Sequence, residues 1–346
     1  MIPKRNFACF AGLVVCLLLL AASCAPPDKE PDITRAEPAE PVTQPPVPGA
    51  VTLALKFAAQ DSANYRLITE RNRRVDFEGA LSGDAAFKGG ETGDKVEMTF
   101  GQQIQSVDDK GNAVAKITIT ALKYLAKEKD VLRLDFDSLR AEDRNSPFAR
   151  LIGHSYTIEI TPSGEVIRVI DAEQARAAVG SGTPASERAL VLLESDAIKE
   201  RHTVAALPPA DKSSLRTKDD WSKIKTFDFG LLGAKAYERI YLLKEVKKVR
   251  GRNIAVVEMN AIPTTDVAEQ MQGEQLPNAF AKMFDSRDIY TGRLRLDLTA
   301  GKVDSYFEKM LSEWVVVDPL AKGPVDQEPA TLRMMATQLY SLERID

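Results

Sequence analysis

Cysteine stops at residue 24: the chain has three, Cys9, Cys16 and Cys24. A folded part without cysteine has no disulfide, no thiol nucleophile and no thiolate-held metal. Histidine is scarce too, with only His154 and His202, far apart in the chain. Histidines without a nearby ligand cluster are poor evidence for a metal site or for proton transfer. Basic charge is not in excess, since 46 Lys+Arg face 50 Asp+Glu, a formal net charge of −4. Nucleic-acid binders usually show a basic surplus, so that partner class is set aside. Gly180-Ser181-Gly182-Thr183 lacks the lysine of a phosphate loop. Gly153-His154-Ser155-Tyr156-Thr157 lacks the second glycine of a nucleophile elbow and leads into a strand. No catalytic, cofactor-binding or metal-binding set emerges. The expectation is a protein that is not an enzyme and needs no cofactor.

The N-terminus is more informative. Lys4 and Arg5 precede an uncharged run from Phe7 to Leu20, which ends in Leu20-Ala21-Ala22-Ser23-Cys24. A short basic stretch, an apolar run and small residues at a cut point form the pattern of a signal peptide. Phe7 to Ser23 is 17 residues, which is also the lower limit for a membrane-spanning helix. The last five residues resemble the lipobox of bacterial lipoproteins. That resemblance implies that residues 1–23 are removed and that Cys24 is acylated as the new first residue. The membrane is then a partner through the lipid anchor, and several acyl chains hold firmly where one binds only marginally. Ala25 follows the cysteine, not Asp. For a Gram-negative source the resemblance thus implies the outer membrane, facing the periplasm. For a Gram-positive source it implies the outer face of the plasma membrane. Loss of Lys4 and Arg5 leaves 44 basic against 50 acidic side chains, a net charge of −6.

Residues 24–50 follow the cut point as a linker. Eight prolines lie between Pro26 and Pro48, with Asp, Glu and Thr among them and little that is apolar. Such a segment cannot bury enough surface to offset its ordering entropy. It should be extended, with a reach of up to ~80 Å at roughly 3 Å per residue.

From Val51 the pattern turns to strand. Val51 to Phe57 alternates, as do Val114 to Leu122 and Tyr156 to Ile160. Hairpin turns are signalled at Asp108-Asp109-Lys110-Gly111-Asn112 and at Thr161-Pro162-Ser163-Gly164. Polar-out, apolar-in alternation predicts antiparallel sheet with one wet face. Between Asp171 and Ala206 the period of two is lost. Ala172, Ala175 and Val179 suit a short helix, and Thr183 caps a second one with Pro184 in its first position. Strands return with a long hairpin around Arg250-Gly251-Arg252-Asn253 and another turning at Thr299-Ala300-Gly301. Gly111 and Gly251 are 140 residues apart, and Gly164 and Gly301 are 137 apart. These matched offsets, with a looser echo of Phe136-Asp137-Ser138 in Phe284-Asp285-Ser286, suggest an internal duplication. The same turn chemistry recurs in any β-meander. Leu332, Met335, Leu339 and Leu342 fit either a last strand or a helix.

The predicted organisation is therefore a leader at 1–23 and a linker at 24–50. A first β-rich unit at 51–170, a helical connector at 171–220 and a second β-rich unit at 221–346 follow. The fold class is α+β and β-rich, with long antiparallel strands in two related sheet units and a helical insert at about 171–206.

Two charge clusters stand out. Asp135, Asp137, Glu142 and Asp143 could gather on a calcium ion, but Arg133, Arg140 and Arg144 sit among them, which favours a solvated ion-pair edge. Lys244, Lys247, Lys248, Arg250 and Arg252 form a basic run. It suits either a guarded strand edge or contact with anionic headgroups.

Phe136-Asp137-Ser138, Leu151-Ile152-Gly153, Tyr156-Thr157-Ile158 and Gly164-x-Val166 together resemble a family of secreted bacterial lipoproteins of unknown function. Tyr290-Thr291-Gly292-Arg293 and Gly301-Lys302-Val303 resemble that family's second half. The resemblance carries no catalytic residues. The order of elements is also similar to the half-barrel lipoprotein carriers, whose curved sheet wraps helices and holds acyl chains, an analogy at the level of fold. The expected role is a membrane-anchored envelope lipoprotein that binds or scaffolds an envelope protein or other partner. The alternative is a carrier of an apolar ligand in a curved-sheet cavity, with a hydrolase third.

Overall fold

The structure, a computed structural model, describes residues 49–78, 89–264, 283–317 and 331–345. Its strands are β1 (Val51–Thr52), β2 (Ser62–Glu78), β3 (Gly90–Val107), β4 (Ala113–Glu128), β5 (Val131–Asp137), β6 (Ser155–Ile160) and β7 (Val166–Asp171). Three short helices follow, α1 (Glu173–Val179), α2 (Pro184–Val191) and α3 (Ser195–His202). The remaining strands are β8 (Ser214–Leu215), β9 (Asp220–Asp228), β10 (Ala234–Val249), β11 (Arg252–Thr264), β12 (Asp285–Asp297), β13 (Lys302–Val317) and β14 (Thr331–Ile345). The fold is α+β and β-rich. Twelve strands form one antiparallel sheet in the order β7-β6-β4-β3-β2-β14-β13-β12-β11-β10-β9, with β5 added beside β4, while β1 and β8 form a separate two-stranded ribbon.

The alternation in the sequence becomes the two faces of this sheet. In β4, Ala113, Ala115, Ile117 and Ile119 are fully buried, while Lys116 and Thr120 stay exposed. The hairpins turn where Gly111, Gly164, Gly251 and Gly301 take positive φ. The run β3-β4-β6-β7 pairs in the same order as β10-β11-β12-β13, so the spacing echo is matched strand for strand. The looser Phe-Asp-Ser echo is not. Phe136 lies within β5, whereas Phe284 lies just before β12. The two strand sets are joined edge to edge, because β14 pairs with β2 from Thr331↔Glu78 to Ile345↔Asn64. The ambiguous C-terminal pattern is thus a strand.

The sheet curls. Helix α3 reaches β6 through His202 and Tyr156 and β9 through Glu200 and Lys225. In the sheet order, β6 and β9 are nine places apart. A flat sheet would separate them by ~43 Å, whereas α3 is ~12 Å long. The strands therefore wrap around the helical insert, and the inner face is concave. Thr183 caps α2 through its side chain, with Pro184 in the first turn. The outer face carries ion pairs across neighbouring strands, among them Arg66–Glu343, Lys95–Glu70, Lys127–Glu91 and Arg293–Glu258. These charges meet water, and exposed Ile240, Ile289 and Phe307 stand on the same face.

Val51 to Phe57, which alternates like a strand, is one only at Val51–Thr52. The rest is a strap across one end of the concave face. Its amides bond to scattered partners: Leu53 to the Ser213 carbonyl at 2.9 Å, Leu55 to Pro162 at 2.8 Å and Lys56 to Gly301 at 2.9 Å. Alternation here reports burial of Leu53 and Leu55 without a ladder. The strap's two adjacent amides, at 55 and 56, hold the matching hairpin turns of the two halves. Gly301 is required at its turn, because a Cβ there would collide with the backbone and side chain of Lys56.

Candidate functional site

The concave face has three zones. At the strap end, His202 lies at the foot of a cleft of about 40 Å³ bordered by Lys56, Asp61, Tyr65, Phe100 and Lys302. That is room for a few water molecules at most. Lys302 is held by Asp61 at 2.7 Å. His202 Nε2 lies 2.7 Å from the Tyr156 hydroxyl, and Arg201 donates to the same hydroxyl at 3.5 Å. Arginine only donates, so the phenol oxygen accepts from Arg201. Burial, and secondarily Arg201, hold the His202 pKa well below the ordinary value. Burial raises the Tyr156 phenol.

The middle zone is a buried polar cluster drawn from β10, β12 and β13. Tyr241 and Tyr290 donate to the Glu308 carboxylate at 3.2 and 2.7 Å, and Tyr306 donates to it as well. Arg239 Nη1 reaches its two oxygens at 3.3 and 3.4 Å. Burial, then the Glu308 charge, push all three phenols above their ordinary pKa. Burial works against the Arg239 charge, but Glu308 keeps its pKa raised. A carboxylate offers about four lone-pair sites. Glu308 has its sites filled by protein donors, which makes it a cross-brace and leaves no acceptor for a substrate proton. Beside it, Trp221 stacks on Tyr241 with ring centres 5.7 Å apart.

Charged groups seat the helical insert on the sheet. Glu200 of α3 takes Arg71 of β2 at 2.8 Å and Lys225 of β9 at 3.0 Å. Burial pushes its pKa up, but Lys225 and Arg71 together bring it below the ordinary value. Asp94 of β3 sits near Arg71 and Arg188, and burial outweighs them to raise its pKa.

The third zone is apolar and lies at the far end. Cross-strand register puts Phe77, Leu332 and Val316 in one rung and Val75, Met334 and Trp314 in the next. These positions share the face of Tyr340 and Leu342, since side chains two apart on a strand point the same way. The Tyr340 hydroxyl donates to the Arg201 carbonyl at 2.9 Å, which identifies that face as the concave one. Trp314 is buried, while Phe77, Val75, Leu332, Met334 and Val316 are half-buried.

The basic run lies on the β10–β11 hairpin, away from these zones. Lys244 pairs with Glu258 at 3.3 Å, Lys247 with Glu245 at 2.5 Å, and Arg252 with Asp297 at 3.2 Å. Lys248 and Arg250 have no carboxylate partner among the described residues. The acidic cluster is an ion-pair edge, with Arg140 held by Asp143 at 2.6 Å and by Asp135 at 3.2 Å. Cys24, the lipidation candidate, and linker residues 24–48 lie outside the described residues.

No family model and no curated protein matches this chain. Among solved structures it is similar to lipovitellin, in a structure of lipid–protein interactions. The identity is 11% and the TM-score 0.40, covering 84% of this chain and 26% of that one. It thus spans about a quarter of the lipovitellin chain. It is also similar to DynF from the dynemicin biosynthesis pathway of Micromonospora chersina, at 8% identity and a TM-score of 0.16, covering 88% and 92% of the two chains. Pseudomonas aeruginosa OpdL matches at 8% identity and a TM-score of 0.19, covering 83% and 99%.

The sequence reading missed both the Glu308 cluster and the apolar rungs. A signal existed for the first: Arg239-x-Tyr241 and Tyr306-x-Glu308 each place two polar side chains on one strand face. The rungs left no local signal, because they join strands more than 200 residues apart.

Proposed function

We propose that this protein is a lipid-anchored envelope lipoprotein with a non-enzymatic role, and that it binds an apolar ligand on its concave face. One observation carries the second part: half-buried Val75, Phe77, Val316, Leu332 and Met334 stand together, beside the buried Trp314, on the concave face. A non-catalytic role is favoured by Glu308, whose oxygens are taken up by protein donors. The strap-end cleft is too small for such a ligand, so the rungs are the better seat. The anchor part of the reading is supported by the leader pattern ending at Cys24.

Native mass spectrometry of the purified full chain, before and after exposure to mixed-lipid vesicles, tests the ligand. An adduct of acyl-chain mass at one per protein is expected. A chain that carries none and takes up none from vesicles overturns the reading.

A further inference from the structure

The apolar rungs have a basic neighbour on the same strand. Along the inner face of β2 the side chains run Phe77, Val75, Arg73, Arg71. Both arginines are exposed, although they point to the interior face, so water reaches this part of the concavity. Arg71 is already shared with Glu200 at 2.8 Å and stands near Asp94. Arg73 differs. It donates to the Phe229 carbonyl at 3.3 Å, and no described carboxylate pairs with it. The other cation at the patch is Lys235, whose ammonium lies 4.7 Å from the Trp314 ring centre and is balanced by Asp288 at 3.0 Å. Among the described residues, Arg73 is thus the one of these three without a carboxylate partner.

The dimensions select the ligand. Two residues along a strand advance ~7 Å, so Arg73 stands ~7 Å from the Val75 rung and ~14 Å from the Phe77 rung. Three strands span ~10 Å across. The patch is a short apolar strip with one guanidinium at its inner end. A guanidinium fork matches a carboxylate with two parallel hydrogen bonds.

Resting on the function proposed above, we infer that the ligand is a single-chain anionic amphiphile of the fatty-acid kind. Its tail lies on Val75, Met334, Phe77, Leu332 and Val316, beside Trp314, which Phe229 covers. Its carboxylate meets Arg73, with Arg71 alongside.

The test titrates the full chain with a long-chain fatty acid and, separately, with the uncharged alcohol of the same chain length. The acid should bind about tenfold more tightly, the size of one charge-assisted hydrogen bond retained on binding. That ratio should shrink as salt is raised. Arg73→Gln, at an exposed position, should bring the ratio close to one, and Arg73→Lys should keep part of it. Leu332→Asp, checked for folding by circular dichroism, should weaken acid and alcohol alike. Equal binding of acid and alcohol by the unaltered chain overturns this inference and leaves the apolar-ligand reading standing. So does a preference for acid that survives Arg73→Gln. Tight binding that survives Leu332→Asp in a folded variant puts the tail elsewhere and also overturns it. Binding of neither compound sinks both.

Discussion

Replacing Glu308 with leucine would remove the shared acceptor of Tyr241, Tyr290, Tyr306 and Arg239 at one stroke. The Arg239 side chain is only 7% exposed, so its charge would be left in the interior without a counter-charge. Breaking a buried pair from one side costs about 3–5 kcal/mol. Stranded hydroxyls add to that, though not additively. The expected loss is therefore at least about 4 kcal/mol, a large part of the roughly 5–15 kcal/mol that usually holds a domain together. Arg239→Met attacks the same pair from the other side and should be milder, about 1–3 kcal/mol. Glu308 keeps three hydroxyl donors in that variant. Arg239, for its part, already carries a buried Nε without a partner. The double variant should be more stable than Glu308→Leu alone, because no naked charge remains. Urea unfolding with unchanged m-values measures all three. The reasoning fails if Arg239→Met costs as much as Glu308→Leu, or if the double variant gains nothing over it.

Other expectations follow from the same interior. Because the His202 pKa lies well below its ordinary 6.5 in the folded chain, only the unfolded chain takes up that proton below about pH 6.5. His202 therefore contributes stability that is fully present above this pH. The contribution falls away below it by up to ~1.4 kcal/mol per pH unit. His202→Gln should flatten the acid limb of stability against pH, and an identical slope in the variant would refute the assignment. Gly301→Ala should cost about 1–2 kcal/mol for its left-handed backbone alone. It should also speed hydrogen exchange at the Lys56 amide, and unchanged exchange there would mean the strap does not depend on this turn. Mass spectrometry of the mature N-terminus should find an acylated Cys24; a retained Lys4 or a bare cysteine would refute the lipid anchor.

Much of the sheet was legible because its outer face meets water. Ile117 and Ile119 alternate with exposed or half-buried partners, and the turns at Gly111, Gly164, Gly251 and Gly301 need a conformation that glycine supplies without strain. The signal weakens where the interior is itself polar. In β2 the inward positions include Arg71 and Arg73, so the period of two disappears from hydrophobicity although the strand continues for 17 residues. In the strap the signal misleads, because Leu53 and Leu55 alternate for burial alone. The candidate site was least visible. Its rungs combine β2 with β13 and β14, and no window of sequence contains both. The curl that makes one face concave follows from α3 touching β6 and β9 at once, a contact between segments far apart in the chain.

The pairing of β14 with β2 also sets an order of events. Thr331 meets Glu78 across 253 residues, so the seam at the middle of the sheet is zipped by a segment synthesised long after β2. Until then β2 and β13 each present an unsatisfied edge, the kind that recruits other chains, and closing so distant a pair is slow. On the export route proposed above, the chain would stay loose enough to thread until β14 arrives. Deleting the fifteen residues of β14 would then leave a protein that aggregates instead of one that is merely shorter.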